Sequence, residues 1–145
     1  MRLDGHGIHI VLPRRWEGHI YARGGEATLH AANFPLPHHD ADYATKALSR
    51  MGDHGALLVV TEFDPASAGR GLFAHRRPRR LHRADFSPRA MQRMVENRVG
   101  IQRFFTDSGR AFCLYAVIAA GRGSRHRVGQ VNEAIDSLRI VARKR

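Results

Sequence analysis

The chain has little cysteine, little lysine and no long hydrophobic run. It contains a single cysteine, which excludes an internal disulfide, and its longest apolar run, residues 111–120, is half the ~20 residues that a membrane-spanning helix needs. Residues 1–13 include no apolar run of signal-peptide length. These absences predict a protein that does not insert into membranes and resides in the cytoplasm.

The composition fits one folded domain spanning residues 1–145. Hydrophobic residues make up 43% of the chain and charged residues 26%, which excludes wholesale disorder, and no repeat is visible. A chain of this length buries roughly two-thirds of its unfolded surface. We therefore expect it to fold without a metal ion or a cofactor.

The basic residues are almost all arginine, and they are concentrated in one segment. The chain carries 22 Arg and 2 Lys, and its net charge is +11. Residues 70–103 hold ten arginines against Asp85 and Glu96, so this segment carries +8 and the rest of the chain +3. Part of it, residues 70–86, is a predicted basic loop. Such a surface attracts phosphate-rich or acidic partners.

Residues 99–121 form the most legible structural element, a long β-hairpin. Two runs rich in β-branched and aromatic residues flank Asp107-Ser108-Gly109, which predicts a type I turn followed by a bulge. The second run has no polar alternation, which predicts a central strand covered on both faces. Cys113 lies in this run, so it is predicted to be a core residue and not a nucleophile.

Hydrophobic periodicity predicts the remaining elements. Alternation predicts strands at 7–13, 17–22 and 27–34, joined as an antiparallel meander, and another at 56–63. Helical spacing predicts a helix capped by Asp40 and ended by Gly52, a short helix starting at Ser87-Pro88, and a helix from Ser124 to Leu138 that leads into a last strand. The fold class is therefore α+β, with about six strands covered by three helices.

Three features of the sequence carry a family resemblance. The opening from Gly7 to Trp16 has the form glycine, alternating strand, Leu-Pro, two residues, Trp; a late apolar strand follows, and then the helix segment Val131-Asn-Glu-Ala-Ile-Asp-Ser-Leu138 with a final strand. Together they resemble the PsbP and Mog-like family, and actinobacterial LpqN-like proteins look similar. The resemblance implies an α/β/α sandwich, a mainly antiparallel sheet of about six strands covered by helices on both faces.

The same resemblance bears on function. Members of that family are chiefly binding or assembly factors without catalytic residues, so it implies a non-enzymatic module that binds a protein partner. Trp16 and Leu138 are implied core positions. The arginine-rich stretch 75–83 matches no motif of the family, and the resemblance does not identify a partner.

Five arginines of the basic loop are the candidate binding residues. They are Arg76, Arg77, Arg79, Arg80 and Arg83, with Arg143 and Lys144 of the tail as further candidates. Together they are able to neutralise several phosphates, which suggests binding of nucleic acid or another polyanion without sequence preference. Few aromatic residues accompany them, and a solvated, mobile loop is the alternative. In either case residues 75–83 are predicted to be dispensable for the fold, with Leu81 as the one candidate core position among them.

Three histidines, His9, His19 and His30, lie on three consecutive predicted strands. If the turns between those strands are tight, His9 faces His19 and His19 faces His30. Neighbouring strands lie ~4.8 Å apart, so a row of three imidazoles is a candidate metal site. The alternative is that these are half-buried or solvent-facing polar residues, since a register slip of one residue destroys the row.

Two short clusters have weaker chemical signals. His38, His39 and Asp40 lie together in a proline-bounded loop, where adjacent side chains seldom converge on one ion. Glu62 and Asp64 at a strand end resemble a general acid–base pair, but Asp64 is followed by proline and also fits an ordinary turn. The sequence contains no nucleophile elbow, Walker loop or C-x-x-C pair.

The sequence therefore supports three ranked hypotheses. The first is a non-enzymatic module that binds a protein partner through an exposed sheet face or edge and the basic surface at 70–103, and it leaves a homodimer open. The alternative is binding of nucleic acid or another polyanion through that surface. The third is a metal site at the histidine row.

Overall fold

The computed structural model describes residues 1–143. In these residues the chain forms eight strands and two α-helices: β1 (Arg2–Gly5), β2 (Ile8–Val11), β3 (Glu17–Arg23), β4 (Glu26–Ala32), α1 (Thr45–Arg50), β5 (Ala56–Glu62), β6 (Arg98–Asp107), β7 (Arg110–Ala119), α2 (Ser124–Ser137) and β8 (Arg139–Ile140). Neither of these helices has the length and apolar content that crossing a lipid bilayer requires.

The larger sheet is antiparallel and has five strands in the order β3-β4-β5-β7-β6. All ten residues of β7 are buried. The continuous apolar run thus marks a central strand, as predicted, because neither of its faces meets water. The β6–β7 hairpin closes through Ser108 and Gly109, which both have positive φ. This is the geometry of a two-residue type I′ turn and not of the expected type I turn with a bulge.

The smaller sheet has three strands in the order β1-β2-β8. The prediction of one sheet of about six strands covered by helices on both faces, an α/β/α sandwich, is therefore wrong. Alternation along β2 shows that one face of this strand is buried, but it does not show which strands flank it. The chain turns between Pro13 and Trp16, with Arg15 at a φ of 66°, and it leaves the small sheet before β3 begins.

The inner face of the large sheet is covered by α2 and by the small sheet. Leu29, Leu58 and Leu114 lie on this face and belong to one buried cluster with side chains of both covers. The contributions of the covers are Ile8, Ile10, Ile140, Val128, Val131, Ala134, Ile135 and Leu138. Apolar residues on one stripe of α2 thus face the sheet, as the helical spacing predicts.

The outer face of the large sheet is covered by α1 and by irregular chain. Its residues Leu57, Val59 and Tyr115 form a second buried cluster with α1. Ala44, with φ of 56°, holds the cap position of α1, which begins five residues after the predicted cap Asp40. Asp40 nevertheless supplies the capping bonds from upstream, because its carboxylate accepts hydrogen bonds from the backbone N–H groups of Lys46 and Ala47, both at 2.9 Å.

The helix expected at Ser87-Pro88 is a single 3₁₀ turn, Pro88–Ala90. Its cap is nevertheless the predicted one, because the Ser87 hydroxyl accepts a hydrogen bond from the Arg89 N–H at 3.2 Å. Ser124 is the first residue of α2, where the predicted helix also begins, and Gly123 with φ of 83° holds the cap position.

The two edges of the large sheet differ. At the β6 edge, Ser87 and Gly100 exchange backbone hydrogen bonds of 2.8 and 3.0 Å, and Thr106 donates one of 2.9 Å to His75. Within residues 1–143, β3 has β4 as its only strand partner, so its other side is a free edge. Unpaired N–H and C=O groups on an edge strand are a template for pairing with another strand.

The connection between β5 and β6 folds back onto the sheet through short 3₁₀ turns. Leu81 and Phe86 join the core on the inner face, where they are 3% and 5% exposed. The stretch 75–83, predicted to be dispensable, therefore contains a core residue. This docking fixes the position of the arginines on either side of Leu81.

Replacing Leu81 by alanine is expected to lower the free energy of unfolding by about 2–5 kcal/mol, because it opens a cavity in the inner core. Leu72 is the matched control, since it lies in the same connection and is 63% exposed. Its replacement by alanine is expected to change stability by less than about 0.5 kcal/mol. Urea unfolding followed by circular dichroism measures both, and equal small effects would contradict the docking of this segment.

Candidate functional site

The basic loop is fastened to α2 by one asparagine. The Asn132 side chain donates a hydrogen bond to the Leu81 carbonyl at 2.9 Å and accepts one from the Leu81 N–H at 2.8 Å. These two bonds satisfy the backbone of a buried loop residue as a neighbouring strand would. The loop is therefore held against the helix by backbone recognition as well as by the Leu81 side chain.

Two of the five candidate arginines make contacts within the chain. Arg77 donates to the Leu138 carbonyl, and its Nε lies 3.6 Å from an oxygen of Asp107. Arg83 donates from Nε to the Ser124 hydroxyl at 2.9 Å. Both contacts reach the ends of α2, so these arginines help to fix the loop in addition to carrying charge.

The other three, Arg76, Arg79 and Arg80, are exposed on the surface of the docked loop. Arginine side chains in water remain charged at all ordinary pH values and present five N–H donors each. Their spacing along a fixed loop makes a short basic track. The loop is therefore a charged surface with a defined shape.

A groove of about 330 Å³ lies between this loop and the first turns of α2. Arg80 and Arg83 line it from the loop, Arg125 lines it from the helix, and none of its lining residues is acidic. The groove is open on the helix side at Gly129, where a Cβ atom would have no other atom within 4 Å. Three guanidinium groups around one concave space favour the binding of an anion.

Two of the three arginines that line the groove were predicted from the sequence, and the third was missed. Arg80 and Arg83 were predicted from the charge run; Arg125 lies outside it and joins the site through the packing of α2 on the loop. Arg143 does not line the groove and instead binds Glu62, as described next. Lys144 lies outside the described residues. No local sequence signal marks Arg125 as part of the groove.

Glu62, the candidate acid or base, is the centre of a buried ion-pair network. Its side chain is 1% exposed and receives two hydrogen bonds from Arg110, at 2.9 and 3.0 Å, and two from Arg143, at 3.2 and 2.6 Å. The Ala27 N–H donates a further bond of 3.0 Å. Glu62 thus connects three strands of the large sheet to the C-terminal segment.

This network keeps Glu62 ionised. Burial by itself raises the pKa of its carboxyl group, but the hydrogen bonds from Arg110, Arg143 and the Ala27 N–H outweigh that effect, and the pKa lies below the ordinary value of 4.5. A carboxylate held this way is a poor proton donor and has no free lone pair facing a substrate. Its role in the structure is to hold elements together.

Arg110 extends the network to the small sheet. It donates from Nη1 to the Val141 carbonyl at 2.9 Å, directly after β8. Gly7 leaves the space for this guanidinium, since a Cβ at Gly7 would lie 2.5 Å from Arg110 Nη1 and the φ there is +77°. The Gly7 of the sequence opening is therefore required by a close approach as well as by its backbone conformation.

The structure brings two of the three candidate histidines together. His19 and His30 face each other on β3 and β4, as predicted, with ring centroids 5.5 Å apart. His9 lies in the small sheet, where its Nδ1 is 2.5 Å from an oxygen of Asp4, and this hydrogen bond lowers the pKa of Asp4. In residues 1–143, no three His, Cys, Asp or Glu side chains are placed to hold one metal ion.

The remaining candidates have structural partners. His30 Nε2 bonds to the Asp42 carbonyl at 2.9 Å, and burial lowers its pKa, so the ring is neutral at neutral pH. The Asp40 carboxylate caps α1, which takes it out of the cluster with His38 and His39. Burial raises the pKa of the Cys113 thiol to about 11, as befits the core residue that the sequence predicts.

Replacing Glu62 by glutamine is expected to lower the free energy of unfolding by about 3–5 kcal/mol at neutral pH, because the buried Arg110 guanidinium loses its anion. The wild-type stabilisation is fully present above pH 4.5 and is lost as the pH falls through the lowered folded-state pKa. The variant should therefore lose less stability on acidification than the wild type does.

Urea unfolding at neutral and at successively lower pH measures both effects. Glu133→Gln is the control, because Glu133 is exposed on α2. It is expected to leave stability and its pH dependence unchanged. A Glu62→Gln variant as stable as the wild type at neutral pH would show that the network contributes nothing to folding.

Comparison of the chain with protein-family models, with curated proteins and with solved structures finds no match. The resemblance to the PsbP and Mog-like family therefore stays a prediction.

Proposed function

We propose that this chain is a non-enzymatic binding module whose groove between the basic loop and α2 takes an anionic partner. The observation that carries the proposal is the convergence of Arg80, Arg83 and Arg125 on a groove without acidic lining. Exposed Arg76 and Arg79 extend the charge along the loop. The partner class that fits such a track is nucleic acid or a similar polyanion, bound through its phosphates or sulfates.

Electrostatics supplies the binding free energy in this proposal. Each arginine that neutralises a phosphate releases condensed counterions, so affinity falls steeply with salt concentration. The groove holds its guanidinium groups on a docked loop, and less conformational entropy is lost on binding than from a mobile loop. Base-specific recognition is not part of the proposal, since the lining has no phenylalanine, tyrosine or tryptophan.

A protein partner is the second candidate, and the free edge of β3 favours it. An exposed strand edge binds extended segments by adding a strand to the sheet. The resemblance to a family of binding and assembly factors supports this candidate as well. The cytoplasm is the proposed location, supported by one cysteine that is buried and unpaired in the described residues.

Binding to mixed-sequence single-stranded DNA and to heparin is expected at low salt, with a log–log slope of about −0.7 for each DNA phosphate neutralised. The double variant Arg80→Gln, Arg125→Gln is expected to bind more weakly and to reduce the magnitude of that slope by about 1.4, because two phosphate contacts are lost. Fluorescence anisotropy across a salt series measures both quantities.

The matched control is the double variant Arg2→Gln, Arg50→Gln, which removes the same charge from exposed positions away from the groove. It is expected to leave the slope unchanged. Equal losses in the two double variants would mean that net charge and not the groove binds the anion. Absence of binding at low salt would overturn the proposal.

A further inference from the structure

A groove of about 530 Å³ runs along the free edge of β3. The strand residues His19–Arg23 form one wall, and residues 36–40 form the other. The opposite sheet edge is already paired with Ser87 and His75, so in residues 1–143 the large sheet has its open edge at β3. Backbone N–H and C=O groups on such an edge have no strand partner in the described residues, which makes the edge a template for pairing with another strand.

The sequence of β3 is complementary to itself when one copy is read in the opposite direction. In a fully overlapping antiparallel pair, the first residue of one strand faces the last residue of the other. The facing pairs are Glu17 with Arg23, Gly18 with Ala22, His19 with Tyr21, and Ile20 with Ile20. The Glu17–Arg23 pair joins opposite charges and the His19–Tyr21 pair joins two aromatic rings, and both are cross-strand combinations that stabilise sheets.

The charged residues at the two ends of β3 favour the antiparallel pair over a parallel pair. A two-fold axis through Ile20 forms the Glu17–Arg23 contact twice. A parallel pair in the same register would set Glu17 against Glu17 and Arg23 against Arg23, and both contacts would be repulsive. A shift of two residues along the antiparallel pair would leave one end of each strand unpaired.

Contacts within the chain hold the two charges at opposite ends of the groove. The Glu17 carboxylate accepts a hydrogen bond of 3.0 Å from the Leu36 N–H. Arg23 donates to the Asp40 carbonyl, and its Nη1 lies 3.3 Å from an oxygen of Asp42. Both charged groups are therefore positioned before association.

We propose that two copies of this chain associate through their β3 strands into one continuous antiparallel sheet with a two-fold axis at Ile20. This inference rests on the second candidate function and identifies the protein partner as a second copy. It is independent of the anion-binding groove, which lies on the loop and α2. Residues 36–40 of each copy border the added strand.

Size-exclusion chromatography with light scattering tests the proposal. The wild type is expected at twice the chain mass of 16.3 kDa. Glu17→Lys and Arg23→Glu are each expected to be monomeric, because each variant alone places like charges opposite one another. An equimolar mixture of the two is expected to restore the dimer, because the new lysine then faces the new glutamate and the remaining wild-type charges also meet their opposites. Glu133→Lys on α2 is the control and should stay dimeric.

A wild-type mass of one chain would overturn the proposal, as would single variants that remain dimeric or a mixture that remains monomeric. If a charge-reversal variant loses its circular-dichroism signal, Glu17→Gln and Arg23→Gln replace the pair. Each must then raise the dimer dissociation constant, and an unchanged constant overturns the proposal. Heparin retention of the wild-type sample reports on the anion-binding function separately, so one can fail without the other.

Discussion

Burial of β7 on both faces is the constraint on which the rest of the structure depends. All ten residues of this strand are buried between β5 and β6, so both faces of the large sheet need a cover. The two α-helices of the described residues are too few and, in the case of α1, too short to supply it. The small sheet covers part of the inner face, and irregular chain covers much of the rest.

Irregular covers leave carbonyl groups without the partners that helices and sheets provide, and arginine side chains fill that need here. Arg127 is 5% exposed and donates to the carbonyls of Ala119, Asp53 and Arg122. Arg98 donates to the Met51 carbonyl in the same way. A guanidinium group offers five donors in one plane, which a lysine ammonium does not. Part of the arginine excess is therefore structural.

The same packing of irregular chain positions the arginines that line the groove. Leu81 draws the connection between β5 and β6 into the inner core, and Asn132 fixes its backbone on α2. Arg80 and Arg83 thereby line the same groove as Arg125, which lies 45 and 42 positions further along the chain. The chain that packs over the buried strand therefore also carries the arginines that line the basic groove.

Local patterns predicted local structure well. The apolar run of β7 reports a short-range preference, and this strand appears where the sequence indicates it. A strand also forms close to the predicted 27–34, although β4 is buried on both faces, and Asp40 bonds the first turn of α1 from upstream of the cap position. The pairing of His19 with His30 followed from a two-residue turn at Gly24 and Gly25.

Long-range partners were not predictable in the same way. The alternation of β2 is the same whether it pairs with β3 or with β1 and β8, so His9 was assigned to the wrong sheet. Glu62 resembled an acid–base residue because its partners, Arg110 and Arg143, are 48 and 81 positions away. The groove depends on a contact between a loop and a helix that no periodicity records.

The most direct test of the anion-binding groove is an NMR titration of the ¹⁵N-labelled protein with a short single-stranded oligonucleotide. If the groove binds the oligonucleotide, the largest chemical-shift changes fall on the backbone amides of residues 80–84 and 124–129. Changes spread evenly over the exposed arginines, or concentrated on another face of the molecule, would contradict it.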